Sequence, residues 1–134
     1  MPQASAEIYT DGSCHTQYRT GTWVAIVFTG AEKKVLFATV QHTTHNRMEL
    51  MAVIAGLEAL KKQDLNITIY SDSKYVVESV EKGWVFQWNM KPDFAKKKNR
   101  DLWKKFLKLY EYQQISFVWV KGHSTTKENN RCDE

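Results

Sequence analysis

Three early stretches of the chain carry strand-like patterns. Residues 7–10 alternate apolar and polar, residues 22–29 form a mostly apolar run, and residues 34–41 alternate loosely. Gly30-Ala31-Glu32-Lys33 predicts a hairpin turn between the last two. The link over residues 12–21 is long and polar, and predicts an ordered or mobile loop rather than a tight turn. The period then changes. Leu50, Met51, Ile54, Leu57 and Leu60 recur at helical spacing and predict a helix over about residues 46–62. Residues 66–70 predict a short strand with Ile67 and Ile69 on one face. Residues 73–82 predict a helix with Gly83 at its C-terminal end. A basic and aromatic stretch follows, interrupted by Pro92. Leu102, Trp103, Phe106, Leu107 and Tyr110 then predict a helix over residues 99–112, and residues 115–120 a last strand. The order β-β-β-α-β-α-α-β implies an α/β fold with a five-stranded mixed sheet and helices packed on it.

At 134 residues the chain is expected to form one domain, residues 1–134, with a hydrophobic core that needs no disulfide or metal staple. No apolar run approaches the ~18 residues that span a bilayer, and residues 1–6 lack the basic and apolar regions of a signal peptide. The expectation is a cytoplasmic protein with no membrane partner. Its two cysteines, Cys14 and Cys132, are then expected to be reduced. Cys14-His15 and His123 with Cys132 are poorly spaced for zinc.

The net charge of +4 names no partner, but its distribution is uneven. Residues 91–105 hold Lys91, Lys96, Lys97, Lys98, Arg100, Lys104 and Lys105 against Asp93 and Asp101, a net +5 that leaves −1 for the rest of the chain. One basic patch on a near-neutral body points to a polyanion held at a defined place.

Four carboxylates fall at the ends of predicted elements. Asp11 ends the first strand, Glu49 lies in the first turn of the first helix, Asp72 follows the fourth strand, and Asp133 follows the last strand after a polar loop. Any one of them alone reads as a cap or turn former. Together they fit a site beyond the carboxyl ends of the strands, where open α/β sheets collect ligands. Carboxylates that close repel one another and raise each other's pKa. A divalent cation relieves the conflict, and Mg²⁺ suits a few carboxylates with retained waters. Two such ions, about 3.5–4 Å apart, serve in-line displacement at phosphorus. His123, in Val120-Lys121-Gly122-His123-Ser124, fits a plain surface loop and a mobile carrier of a proton equally well.

Five blocks of the chain resemble the signature of the type 1 ribonuclease H family, with the bacterial and cellular enzymes nearer than the retroviral domains. They are Tyr9-Thr10-Asp11-Gly12-Ser13-Cys14, Thr43-Thr44-His45-Asn46-Arg47-Met48-Glu49-Leu50, Tyr70-Ser71-Asp72-Ser73-Lys74-Tyr75-Val76, Trp119-Val120-Lys121-Gly122-His123 and Asn130-Arg131-Cys132-Asp133-Glu134, in the family's order and near its spacing. The resemblance implies a ribonuclease H-like fold, a five-stranded mixed sheet with helices on both faces. It implies a monomeric endonuclease acting on RNA–DNA hybrids, with two Mg²⁺ ions, or Mn²⁺ as an alternative, held by Asp11, Glu49, Asp72 and Asp133. Metal-activated water would attack phosphorus and leave 5′-phosphate and 3′-hydroxyl ends. His123 would assist proton transfer or product departure. Thr44 and Asn99 match positions that grip a DNA phosphate, and Asn46 one that contacts the minor groove. The basic, aromatic stretch resembles the family's handle, with Trp84 and Trp88 at aromatic positions beside the DNA strand and Lys96, Lys97 and Lys98 as phosphate contacts. Trp84 fits core filling equally well, whereas Trp103 reads as core.

The chain departs from the family pattern in places. His15-Thr16-Gln17-Tyr18-Arg19-Thr20 stands where a glycine-rich loop is common, the handle is shorter, and the helix that usually follows the final aspartate is expected to be absent. Asp133 is therefore expected to be the least ordered ligand. Three other readings compete: a catalytically silent hybrid-binding module, a nuclease or transposase of the same fold acting on DNA, and a domain of a reverse transcriptase.

Overall fold

The structure, a computed structural model, describes residues 4–15, 17, 19–90 and 99–121. In chain order these form β1 (Ser5–His15), β2 (Thr20–Thr29), β3 (Glu32–Val40), α1 (His45–Glu58), β4 (Asn66–Ser71), α2 (Lys74–Glu81), α3 (Trp84–Asn89), α4 (Arg100–Tyr110) and β5 (Gln114–Trp119). The five strands make one sheet in the order β3-β2-β1-β4-β5. Consecutive strands joined by short turns pair antiparallel, β1 with β2 and β2 with β3. Strands separated by helices pair parallel, β1 with β4 and β4 with β5, because a parallel pair needs a crossover. The predicted five-stranded mixed sheet is therefore the observed one.

Alternation sets the buried face. Ala6 and Ile8 of β1, Ala25 and Val27 of β2, Ile67 and Ile69 of β4, and Ile115 and Phe117 of β5 join a single core with Leu50, Val53 and Leu57 of α1, Val76 and Val80 of α2, and Trp103 and Phe106 of α4. Among the described residues the helices share this core with one face of the sheet. No helix among them is long and apolar enough to cross a membrane.

Three sequence expectations are corrected. The polar link after the first motif is mostly strand: the β1–β2 ladder runs on through Asp11↔Val24 to His15↔Thr20. Its inward positions are Gly12, Cys14 and Gly21, so the alternation exists without large apolar side chains to announce it. Second, α3 was not anticipated; Gly83, in a left-handed conformation (φ 77°), ends α2 and starts a further short helix that buries Val85. Third, Cys14 is disulfide-bonded rather than reduced.

The inward glycines of β1 and β2 set how closely α1 approaches the sheet. A Cβ at Gly12 would lie 2.6 Å from the backbone nitrogen of Glu49 and 2.6 Å from the carbonyl carbon of Met48, and one at Gly21 would lie 2.5 Å from Met48 Cγ. The start of α1 therefore rests directly on the end of β1 that carries Asp11. Thr44 caps that helix, its hydroxyl accepting from the backbone N–H of Arg47 at 3.2 Å.

Candidate active site

The parallel register ends at Tyr9 paired with Tyr70, so two positions further on Asp11, within β1 rather than at its end and still paired with Val24 of β2, lies beside Asp72, which follows β4. Thr10 Oγ1 strengthens this junction by donating to the Tyr70 carbonyl at 3.2 Å. Asp72 precedes α2, whose cap Ser73 accepts from the Val76 N–H at 3.2 Å. The Trp119 indole N–H donates to the Asp72 carbonyl at 3.3 Å and ties the end of β5 to the same place. Helix α1 starts at His45, so Glu49 lies one turn in rather than in the first turn. The contact permitted by Gly12 brings it down on the two aspartates.

One ligand oxygen from each of Asp11, Glu49 and Asp72 lies within 4.8 Å of the others. Glu49 is only 1% exposed. Its Oε2 meets His45 Nε2 at 3.3 Å. Its Oε1 and the Oδ1 of Asp72 are buried with no hydrogen-bond partner among the described residues. Burial, and then the charges of Asp72 and Asp11, push the Glu49 carboxyl up to about 10. Buried acceptor atoms left unsatisfied are costly. An oxygen-preferring divalent cation would satisfy both at once and remove the mutual repulsion, so the donor set fits Mg²⁺ or an ion of similar hardness.

A second group of residues assembles next to this cluster. Thr44 at the start of α1 and Asn99 at the start of α4 are linked by Arg47, whose backbone N–H reaches Thr44 Oγ1 and whose Nη1 donates to Asn99 Oδ1 at 3.2 Å. Two sequence-predicted substrate contacts are thus brought together. Asn46 is the second residue of α1 and half-buried. Trp84 is 40% exposed, with Lys82 Nζ 5.4 Å from its ring centre, so it is a surface aromatic rather than core filling. Trp88 is partly buried and packs edge-on against Trp103 at 6.3 Å, while Trp103 is fully buried, as expected. His123, Asp133, Lys96, Lys97 and Lys98 lie outside the described residues.

Sequence reasoning passed over His45, Arg47, Tyr75 and Asp101. The signal for His45 was its i,i+4 spacing to Glu49 on one helix face. For Arg47 and Tyr75 it was their place inside quoted motif blocks.

A mixed α/β sheet on which carboxylates from β1, α1 and the position after β4 converge has the architecture of a metal-dependent hydrolase. Comparison with known proteins narrows this. The RNase H family model matches residues 3–134. The chain is 43% identical over 131 residues to a ribonuclease H of Desulforamulus reducens, covering 95% of this chain and 82% of that one. It is 46% identical over 131 residues to a ribonuclease H of Chlorobium limicola, covering 95% and 89%. Among solved structures it is similar to LC9-RNase H1, a type 1 RNase H with the type 2 active-site motif. The TM-score is 0.77 at 22% identity, spanning 92% of this chain and 66% of that one. The chain belongs to the ribonuclease H family and is a nuclease enzyme.

Proposed function

We propose that the enzyme is an endonuclease that hydrolyses the RNA strand of RNA–DNA hybrids by a two-metal-ion mechanism, leaving 5′-phosphate and 3′-hydroxyl ends. The observation that carries the reading is the gathering of Asp11, Glu49 and Asp72 oxygens within 4.8 Å, two of them with buried, unsatisfied acceptor atoms. Family membership over almost the whole chain supports it.

Asp11, Glu49 and Asp72, with Asp133 from the C-terminal segment, would hold two Mg²⁺ ions, or Mn²⁺ as an alternative. Such ions polarise a phosphate oxygen and activate water at neutral pH. The chain's own residues do the rest. Asp11 and Asp72 would fix the place of the ions beside β1 and β4, and the burial of Glu49 keeps bulk water from its side. His123 moves a proton at the scissile region. Thr44 and Asn99 hold a backbone phosphate of the DNA strand, Asn46 contacts the minor groove, and Trp84, Trp88 and Lys96–Lys98 follow the DNA strand without reading sequence. Only RNA offers 2′-hydroxyls, and only the DNA strand adapts freely to a fixed phosphate pocket. The enzyme acts as a monomer in the cytoplasm.

The test uses end-labelled RNA–DNA hybrid, duplex DNA and duplex RNA, each with Mg²⁺ and with chelator. RNA fragments bearing 5′-phosphate, from the hybrid alone and only with metal, are expected. Tight hybrid binding without cleavage would favour a silent binding module, and cleavage of duplex DNA would favour a DNA-directed enzyme of the same fold.

A further inference from the structure

We propose that Arg47 and Tyr75 are positioning residues that fix the Asn99 carboxamide in one of its two flips, so that it presents an N–H and not a carbonyl to a nucleic-acid phosphate. The proposal rests on the reading that Asn99 meets the DNA backbone.

Asparagine at a helix start ordinarily spends its side chain on capping. Asn99 does not: it stands at the start of α4 in a left-handed conformation (φ 63°) with no side-chain cap hydrogen bond. Its amide is engaged elsewhere. Oδ1 accepts from Arg47 Nη1 at 3.2 Å, and Nδ2 donates to the Tyr75 hydroxyl oxygen at 3.1 Å. The Trp103 indole N–H also donates to that hydroxyl oxygen, at 2.8 Å.

Donor and acceptor identities then settle the flip. A guanidinium has donors only, and so has an indole. Arg47 can face the amide only through its oxygen; the opposite flip would set an NH₂ group against a guanidinium N–H. Tyr75 offers lone pairs to the other side, where Nδ2 must lie. Arg47 is itself held, because its Nη1 and Nη2 donate to the two carboxylate oxygens of Asp101 at 3.0 and 2.8 Å. That pair also compensates the arginine charge, so Arg47 steers the amide rather than binding phosphate itself. One amide N–H goes to Tyr75, which leaves the second as the donor for substrate. Thr44 is set the same way. Its hydroxyl oxygen accepts the Arg47 backbone N–H, leaving its own proton to donate.

The test is steady-state cleavage of a labelled hybrid by the full chain, with thermal melting to confirm that each variant folds. Asn99→Ala and Arg47→Ala are each expected to raise KM about tenfold with kcat changed less than about twofold. The double variant is expected to be no worse than Asn99→Ala alone. Arg47→Lys keeps a donor-only group and is expected to recover most of the loss. Should Arg47→Ala fail to fold, Tyr75→Phe, which removes the hydroxyl that accepts from Asn99 and Trp103 and keeps the ring, still raises KM, by about threefold. In ¹⁵N spectra the Asn99 side-chain amide signals are expected away from the positions of a solvated carboxamide and protected from exchange with water, and to move to those positions and lose protection in Arg47→Ala or Tyr75→Phe. An additive double variant would mean that Arg47 touches substrate directly and would overturn the proposal. So would an unchanged KM in Arg47→Ala and Tyr75→Phe beside a raised KM in Asn99→Ala. An unchanged KM in Asn99→Ala would instead remove the phosphate reading, and the proposal with it.

Discussion

Replacing Glu49 by glutamine should make the metal-free enzyme more stable while destroying its activity. Glu49 is buried beside two aspartates, and its carboxyl is pushed from the usual 4.5 to about 10. The folded state therefore binds a proton that the unfolded chain releases above pH 4.5. With more protons bound folded than unfolded, stability falls as pH rises from about 4.5 towards 10, and is fully retained below that window. Each pH unit in the window costs about 1.4 kcal/mol, so at pH 7 the penalty amounts to roughly 3 kcal/mol. Glutamine keeps the shape, carries no proton to lose and escapes the penalty. In a domain of this size the gain corresponds to a melting temperature higher by about 10 °C. The assay is thermal unfolding of wild type and Glu49→Gln in chelator from pH 5 to 8.5. The gap should be small at pH 5 and widen with pH. Saturating Mg²⁺ should narrow it by stabilising the wild type, since an ion that binds only the folded state adds stability by mass action. A gap that is absent at pH 8, or independent of pH, would refute the argument that Glu49 is held in a repulsive, desolvated cradle.

Two further substitutions probe how that cradle is built. Gly12→Ala would drive a Cβ to 2.6 Å from the α1 backbone at Met48 and Glu49. It should cost about 1–3 kcal/mol by urea unfolding and weaken Mg²⁺-dependent stabilisation by separating Glu49 from Asp11. Trp103→Ala empties the fully buried centre of the aromatic cluster, where Trp103 meets Phe106 edge-on at 5.6 Å and Tyr75 at 5.9 Å. A loss of about 3–5 kcal/mol is expected by the same method.

Much of this protein could be read along the chain because the information was local. Ile67 and Ile69 mark β4 by alternation, the 3.6-residue recurrence from Leu50 to Leu57 marks α1, and Asp72 follows β4 where a site belongs, whereas Asp11, expected at a strand end, lies within β1. The far part of the first hairpin was misread because its inward positions are glycine and cysteine, chosen for closeness rather than bulk. Only the folded chain decided that Gly12 lets α1 settle onto β1, that Glu49 is thereby buried, and that Glu49 Oε1 and Asp72 Oδ1 lack hydrogen-bond partners among the described residues. Only folding decided, too, that Arg47 meets Asn99 across 52 positions and Asn99 meets Tyr75 across 24. Periodicity reports which face of an element is buried. It carries no record of which residue on a distant element lies opposite, because that is set by register and by how closely two backbones approach.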